Sequence, residues 1–364
     1  MSAQQWLISH DWAEPPAPEV LDELRSGSAE TVDRLLRLSV ALGVPDTGAG
    51  DREDFIEHTM RIDAALAAVG HGRLWIEDQG GTMSRVGTDE TSPLDLSLPR
   101  IGAMFSPSFC RLGSGHGEYA SVSGASFVIP SAIGPDGYFE SEVFAAENHR
   151  GAVLAGGDTD SLIAAIRSAL PRSSDRTVWL KSRSTKAIIM RVRVPQGWEN
   201  DPDPDLSLSD VRDPWVSPWD LIMAHEGKSR AILVAPHVEM RAEYRLFLVD
   251  GHPVTGAGNI ESHTPLDHAR GSIFDPKVEG VRGDGEISRR PDLVDAYVRR
   301  GTALGERLRD EGRGTCALDL ALIDGRIGIV ELNALGNAGL YASDPYRLYR
   351  EVAARPDLFT PTHP

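Results

Sequence analysis

Lysine and cysteine are scarce in these 364 residues, and long apolar runs are absent. Two cysteines, Cys110 and Cys316, cannot build a disulfide framework or a thiolate zinc site, and their rarity fits a reducing compartment. Hydrophobic residues make up 41% of the chain, yet no run reaches the roughly eighteen apolar residues that a membrane span needs. The opening MSAQQWLISHDW shows no basic stretch followed by an apolar one, so no secretory signal is read there and the expected location is the cytoplasm. Basic charge is also short. With 37 Lys and Arg against 54 Asp and Glu the net charge is −17, which argues against general nucleic-acid binding through phosphate contacts. Only four of the basic residues are lysines (Lys181, Lys186, Lys228 and Lys277), so the close pair Lys181 and Lys186 stands out. The length allows roughly two or three domains with substantial cores.

What the chain does have is a chemically marked hairpin near its end, CALDLALIDGRIGIVELNALGNAGLY over Cys316 to Tyr341. Ala317–Ile323 and Ile327–Leu332 read as apolar strands joined at Asp324-Gly325, a dipeptide that favours a tight turn. Asp319 interrupts the first strand, and Glu331 and Asn333 lie at the end of the second. A plain two-residue turn pairs Asp319 with Val330 and sends Glu331 to the opposite face. A three-residue loop or a bulge shifts the pairing by one and sets Asp319 across from Glu331. That register is preferred because it gathers Leu318, Leu320, Leu322, Val330 and Leu332 on the other face as a core side. Two carboxylates and an amide then converge, the hard oxygen donors that suit Mg²⁺ beside substrate phosphates. The alternative is a buried hairpin whose carboxylates face solvent.

Upstream, helices are expected from Ser28 to about Leu42 and over Glu53–Val69, with a short strand at 73–77. Residues 78–140 are rich in Gly, Ser and Pro, and the segment 112–126 with His116 reads as an ordinary loop. VFAAENHRGAVLAG, from Val143, suggests a short strand or two, followed by a helix Leu162–Leu170 capped by Asp158 or Asp160. Val178–Leu180 and Ala187–Val194 read as strands, with Lys181 ending the first and Lys186 opening the second. Residues 196–216 form an acidic, proline-rich surface loop, and Trp215 and Trp219 are expected to pack where the chain re-enters the core. Further strands follow at Ile232–Val234, Glu243–Val249 and Pro253–Gly256. Spacing of two places Arg241, Glu243 and Arg245 on one strand face. Residues 259–290 read as a long polar loop in which His263, His268 and Asp275 show no metal spacing. Helices are expected over Pro291–Asp310 and Pro345–Ala354.

Together, an Asp in one strand, E-x-N closing the next, a small-residue loop at Ala334–Gly339, strand lysines and E-Y-R at Glu243–Arg245 resemble the ATP-grasp superfamily. Its closest likeness is to uncharacterised members with a lysine pair and an E-Y-R strand. The resemblance covers roughly Val143 to Tyr341. It implies an α+β fold that holds ATP between two antiparallel sheets, with subdomains at 143–234 and 235–364. Residues 1–142 would form a partly helical N-terminal region for a substrate or partner. It further implies Asp319, Glu331 and Asn333 as ligands of Mg²⁺. Lys181, Lys186, Ala235, Pro236, Val238 and Glu243 would surround ATP, with Ala235–Val238 as the adenine hinge. Arg245 would hold phosphate and Arg241 the substrate carboxylate. The activity implied is a ligase joining small-molecule or peptide carboxylates to amines through an acyl phosphate, with no membrane partner and a homodimer allowed. Two rivals stay open: a small-molecule kinase on the same scaffold, and a non-catalytic nucleotide-binding module.

Overall fold

The computed structural model describes residues 5–9, 51–70, 72–77, 82–85, 90–93, 98, 100–103, 138, 141–156, 158–182, 189–206, 208, 232–283, 285–335 and 338–358. The expected helix from Ser28, the segment 112–126, Cys110, Lys186, Trp215 and Trp219 lie outside these residues.

The N-terminal part contains more sheet than its sequence suggests. Strand β1 (Trp6–Ser9) precedes helix α1 (Asp51–Val69) and runs parallel to β2 (Leu74–Glu77). Strands β3 (Thr82–Arg85) and β4 (Thr91–Pro93) extend the sheet antiparallel beyond β2, and β5 (Arg100–Ala103) pairs parallel with β1 on the other side. Only the strand at 74–77 was legible beforehand. The others have three or four residues each, too short for a period-two pattern to emerge.

Next come α2 (Glu142–Glu147), β6 (Val153–Ala155), α3 (Thr159–Ala169), β7 (Thr177–Ser182), β8 (Ile189–Arg193) and β9 (Ile232–Pro236). Helix α2 replaces the strand expected at VFAAENHR. Its start is fixed by Ser141, whose Oγ accepts from Phe144 N–H at 3.1 Å, while Glu311 takes the Val143 N–H at 2.9 Å. Of the two candidate caps for α3, Asp158 serves, accepting from Ser161 N–H at 2.8 Å. The four strands order as β6-β9-β7-β8, all antiparallel. Leu162 and Ile166 of α3 pack on Val178, Leu180, Val192 and Val234 to cover one face.

The last part contains β10 (Met240–Val249), β11 (His252–Gly258), β12 (Lys277–Glu279), β13 (Ile287–Arg289), α4 (Pro291–Asp310), β14 (Cys316–Ile323), β15 (Arg326–Asn333) and α5 (Pro345–Ala353). Its main sheet orders as β11-β10-β14-β15, again antiparallel. Residues 259–290 are thus not loop throughout, because β12 and β13 form a small ribbon there. The sheet is buried on both faces. Leu246, Leu248, Leu318, Leu320, Ile329 and Leu332 meet Tyr297 and Leu304 of α4. On the opposite face Phe247, Val249 and Ala317 share a core with α1, α5 and Trp6. Helix α4 approaches closely because a Cβ on Gly305 would fall only 2.1 Å from the Gly251 carbonyl oxygen. Among the described residues the architecture is α+β, with two four-stranded antiparallel sheets, the β12–β13 ribbon and a mixed five-stranded N-terminal sheet.

Candidate active site

The hairpin of β14 and β15 turns at Asp324 (φ 51°) and Gly325 (φ 75°), a two-residue turn with both centres left-handed. Ile323 pairs with Arg326, and Leu320 with Ile329; the register then slips, so that Asp319 pairs directly with Glu331. Val330 is the extra residue of this β-bulge. A tight turn and the shifted register therefore coexist. One detail differs from expectation. Val330 does not join Leu318 and Leu320 but packs with Ala321 and Ile323 on the Asp319 face, and Ile329 takes the core position.

Asp319 is fully buried. Arg245, opposite it on β10, donates Nε to Oδ1 at 2.7 Å and Nη2 to Oδ2 at 2.6 Å. The remaining Nη1 donates to the Gly339 carbonyl at 2.9 Å, and the guanidinium lies 5.0 Å from the Tyr341 ring centroid. The whole fork is engaged, so Arg245 braces Asp319 against the 338–341 loop rather than offering free donors to a ligand. Burial pushes the Asp319 carboxyl up, and Arg245 opposes that shift.

Lys181 reaches across from the other sheet. Its Nζ pairs with Glu331 Oε2 and lies 5.3 Å from the Tyr138 ring centroid. Asn333 Nδ2 donates to Glu331 Oε1 at 2.8 Å and lies 3.4 Å from Asp319 Oδ2, tying the two carboxylates together. Burial alone would raise the Glu331 carboxyl, but Lys181 and Asn333 outweigh it and hold that group well below the usual carboxylate range.

Arg241, Glu243 and Arg245 do not share a face. Ala242 adopts φ 51° in a second bulge, so Arg241 pairs with Leu322 while Arg245 pairs with Asp319. Arg241 is exposed and bound to Glu239, away from the carboxylates. Glu243 stays near them, accepting from Asn259 Nδ2 at 2.6 Å, with Arg282 Nη1 3.8 Å away. Burial, reinforced by the negative charge of Asp319, pushes its carboxyl up to about 7. In the expected hinge, Ala235 pairs with Trp179 and Pro236 with Val178. His237 N–H donates to the Thr177 carbonyl at 2.9 Å. The main-chain groups of Val238 carry no bond to any described residue, and its side chain packs beside Ala321, Ile323 and Val330.

Sequence reading overlooked several residues here. Tyr138 closes over Lys181 from a Gly, Ser and Pro-rich stretch that gives no signal. On α1, Arg61 is buried and donates to Glu57, to the Tyr349 hydroxyl at 3.2 Å and to the Ala338 carbonyl. Glu57 in turn accepts Leu340 N–H at 2.8 Å. An i, i+4 Glu–Arg pair on a helix is normally a solvated surface feature, so nothing marked this one as buried.

No family model and no curated protein matches the chain. Among solved structures, D-alanyl-alanine synthetase A from Vibrio cholerae is similar at 13% identity, covering 99% of both chains with a TM-score of 0.42. VanG D-Ala:D-Ser ligase from Enterococcus faecalis is similar at 8% identity, covering 97% of this chain and 99% of that one with a TM-score of 0.44.

The site's own residues bear on a divalent cation. No cluster of three or more His, Cys, Asp or Glu suited to a metal occurs among the described residues. The candidate donors are two carboxylates and an amide, all oxygen-bearing and linked through Asn333. That donor set fits a hard cation of the Mg²⁺ type. Lys181 and Asn333 occupy the two Glu331 oxygens here, so a cation bound there would take the place of the Lys181 contact.

Proposed function

We propose that the chain is an ATP-grasp ligase that activates a carboxylate with ATP and joins it to an amine. The observation that carries this reading is the convergence of Asp319, Glu331 and Asn333 beneath Lys181 from the facing sheet. Glu331 and Asn333 would hold Mg²⁺ together with Asp319, and the ion would supply neutralisation of charge on the transferring phosphoryl group. Lys181 would exchange its bond to Glu331 for a phosphate oxygen, as a point charge can. Arg245 would hold Asp319 aimed, its charge opposing the upward push of burial on that carboxyl. The open main chain of Val238 suits the edge of the adenine. Ala321, Ile323 and Val330 offer an apolar seat beside it. Arg241 has no part in this arrangement.

The substrate carboxylate oxygen attacks the γ-phosphorus, and the bond from phosphorus to the bridging oxygen breaks, with ADP leaving on that electron pair. The amine then attacks the acyl carbon, phosphate departs and the nitrogen loses a proton. Glu243 favours a second reading, since this carboxylate shares in no bond to Asp319 or Glu331 and could accept the proton of a hydroxyl acceptor in a kinase.

The experiment supplies ATP, Mg²⁺, hydroxylamine and a panel of carboxylic acids. A hydroxamate is expected with the true substrate, and heavy oxygen placed in its carboxylate should appear in released phosphate. Glu331→Gln should abolish both signals while the circular dichroism spectrum is retained. A phosphorylated hydroxyl product with no label in free phosphate decides for the kinase.

A further inference from the structure

Arg150 stands apart from the other buried-side guanidinium groups around the site. It lies in the turn between α2 and β6, and that turn is rigidly built. Asn148, almost wholly buried, accepts Gly151 N–H at 3.0 Å and Ala152 N–H at 3.1 Å through one side-chain oxygen. Its amide nitrogen donates to the Phe144 carbonyl at 3.2 Å and the Ala145 carbonyl at 3.0 Å. The backbone that carries Arg150 is thus fixed before any ligand arrives. The Arg150 Nη2 donates to the carbonyl of Val330, the residue displaced by the bulge next to Glu331. Its Nε is sealed from solvent and has no hydrogen-bond partner. Among the described residues Arg150 forms no ion pair, whereas Arg245 and Arg61 are each matched to a carboxylate. Burial acts to lower its pKa, with Tyr138, Glu331 and Glu243 opposing, but an arginine stays charged at any ordinary pH. A guanidinium held by a built turn, short of acceptors and lacking a counter-ion, is a donor set prepared for an anion.

We infer that Arg150 is a further phosphate-binding residue, forming with Lys181 a two-cation clamp on the polyphosphate of the nucleotide. The inference rests on the nucleotide reading given above. Lys181 and Arg150 approach Glu331 from different elements, β7 and the α2–β6 turn. A polyphosphate drawn to Lys181 therefore comes within the field of Arg150, whose fork favours two oxygens of one phosphate. The competing role for Arg150 is solely to cap the Val330 carbonyl of the bulge.

Calorimetric titration of the full chain with MgATP, MgADP and adenosine separates the two roles. Arg150→Gln should weaken MgATP and MgADP by about tenfold or more and leave adenosine unchanged, with Arg150→Lys recovering part of the loss. Thermal unfolding of each variant confirms that it is folded. Equal weakening of adenosine and ATP assigns Arg150 to the bulge alone and overturns the inference, as does unchanged ATP affinity. If the unaltered protein binds no MgATP, the nucleotide reading fails and the inference with it, an outcome the parent titration identifies by itself.

Discussion

At the scale of single residues the carboxylates of the site are each matched to a cation, and Glu243 is the carboxylate least well matched. Asp319 has a bidentate guanidinium and Glu331 an ammonium, while Glu243 has an amide at 2.6 Å and a guanidinium only at 3.8 Å. Burial with Asp319 nearby raises its carboxyl from 4.5 to about 7. A raised acid binds its proton more tightly in the folded state. Its share of stability is therefore complete below the unfolded pKa and is lost as pH rises through the folded one. Between about pH 5 and about pH 8 the protein should lose stability to urea, and Glu243→Gln should flatten that loss while keeping the Asn259 contact. An identical pH dependence in both proteins would show that the group titrates normally. The charged residue types were all legible in the sequence. Their pairing was not, because whether Arg245 serves a ligand or Asp319 depends on which strand lies beside β14.

At the scale of elements, two one-residue bulges decide which side chains meet. The bulge at Val330 was anticipated in kind, because only a shifted register puts Asp319 and Glu331 together while leaving a leucine face for the core. The bulge at Ala242 was not, since alanine gives no sign of a left-handed φ that usually marks glycine or asparagine. It persists because its backbone is satisfied on both sides. Ala242 N–H donates to the Gly280 carbonyl at 3.1 Å, and the Tyr297 hydroxyl donates to the Ala242 carbonyl at 2.7 Å. Both partners come from distant sequence, on the ribbon and on α4, so no local pattern could announce them. Tyr297→Phe removes the second bond and keeps the ring stacked on Tyr244, whose centroid is 5.5 Å away. A buried carbonyl left without its donor should cost about 1–3 kcal/mol, read from the denaturant midpoint at unchanged slope. A neutral substitution would mean that the bulge holds without the hydroxyl.

At the scale of the whole molecule, the N-terminal part and the C-terminal sheet share one core. Trp6, Ala64, Ala65 and Leu74 pack with Phe247, Ala317, Leu348 and Val352. The face that the N-terminal helix covers was not legible in the sequence, because helix and loop signals up to residue 142 give no hint of what they pack against. Arg61 is one of the polar ties in this shared core, linking Glu57, Tyr349 and Ala338, one residue from the Gly339 carbonyl that Arg245 holds. Arg61→Met would leave the Glu57 carboxylate short of its main partner in a mostly buried place, since only 17% of that side chain is exposed. The loss should be about 3 kcal/mol, at the lower end for a broken buried pair because some solvent reaches Glu57. Because the apolar core spans both parts, unfolding should remain a single transition at a lower midpoint, the same by fluorescence and by circular dichroism. Binding of MgATP should change little, since the partners of Arg61 are Glu57, Tyr349 and Ala338 and include none of Lys181, Glu331 and Arg150. Two separate transitions in the variant would show that the N-terminal part folds on its own and that Arg61 is what joins it to the sheet. A large fall in nucleotide affinity would instead show that the hold on Ala338 and Leu340 extends through Arg245 to Asp319.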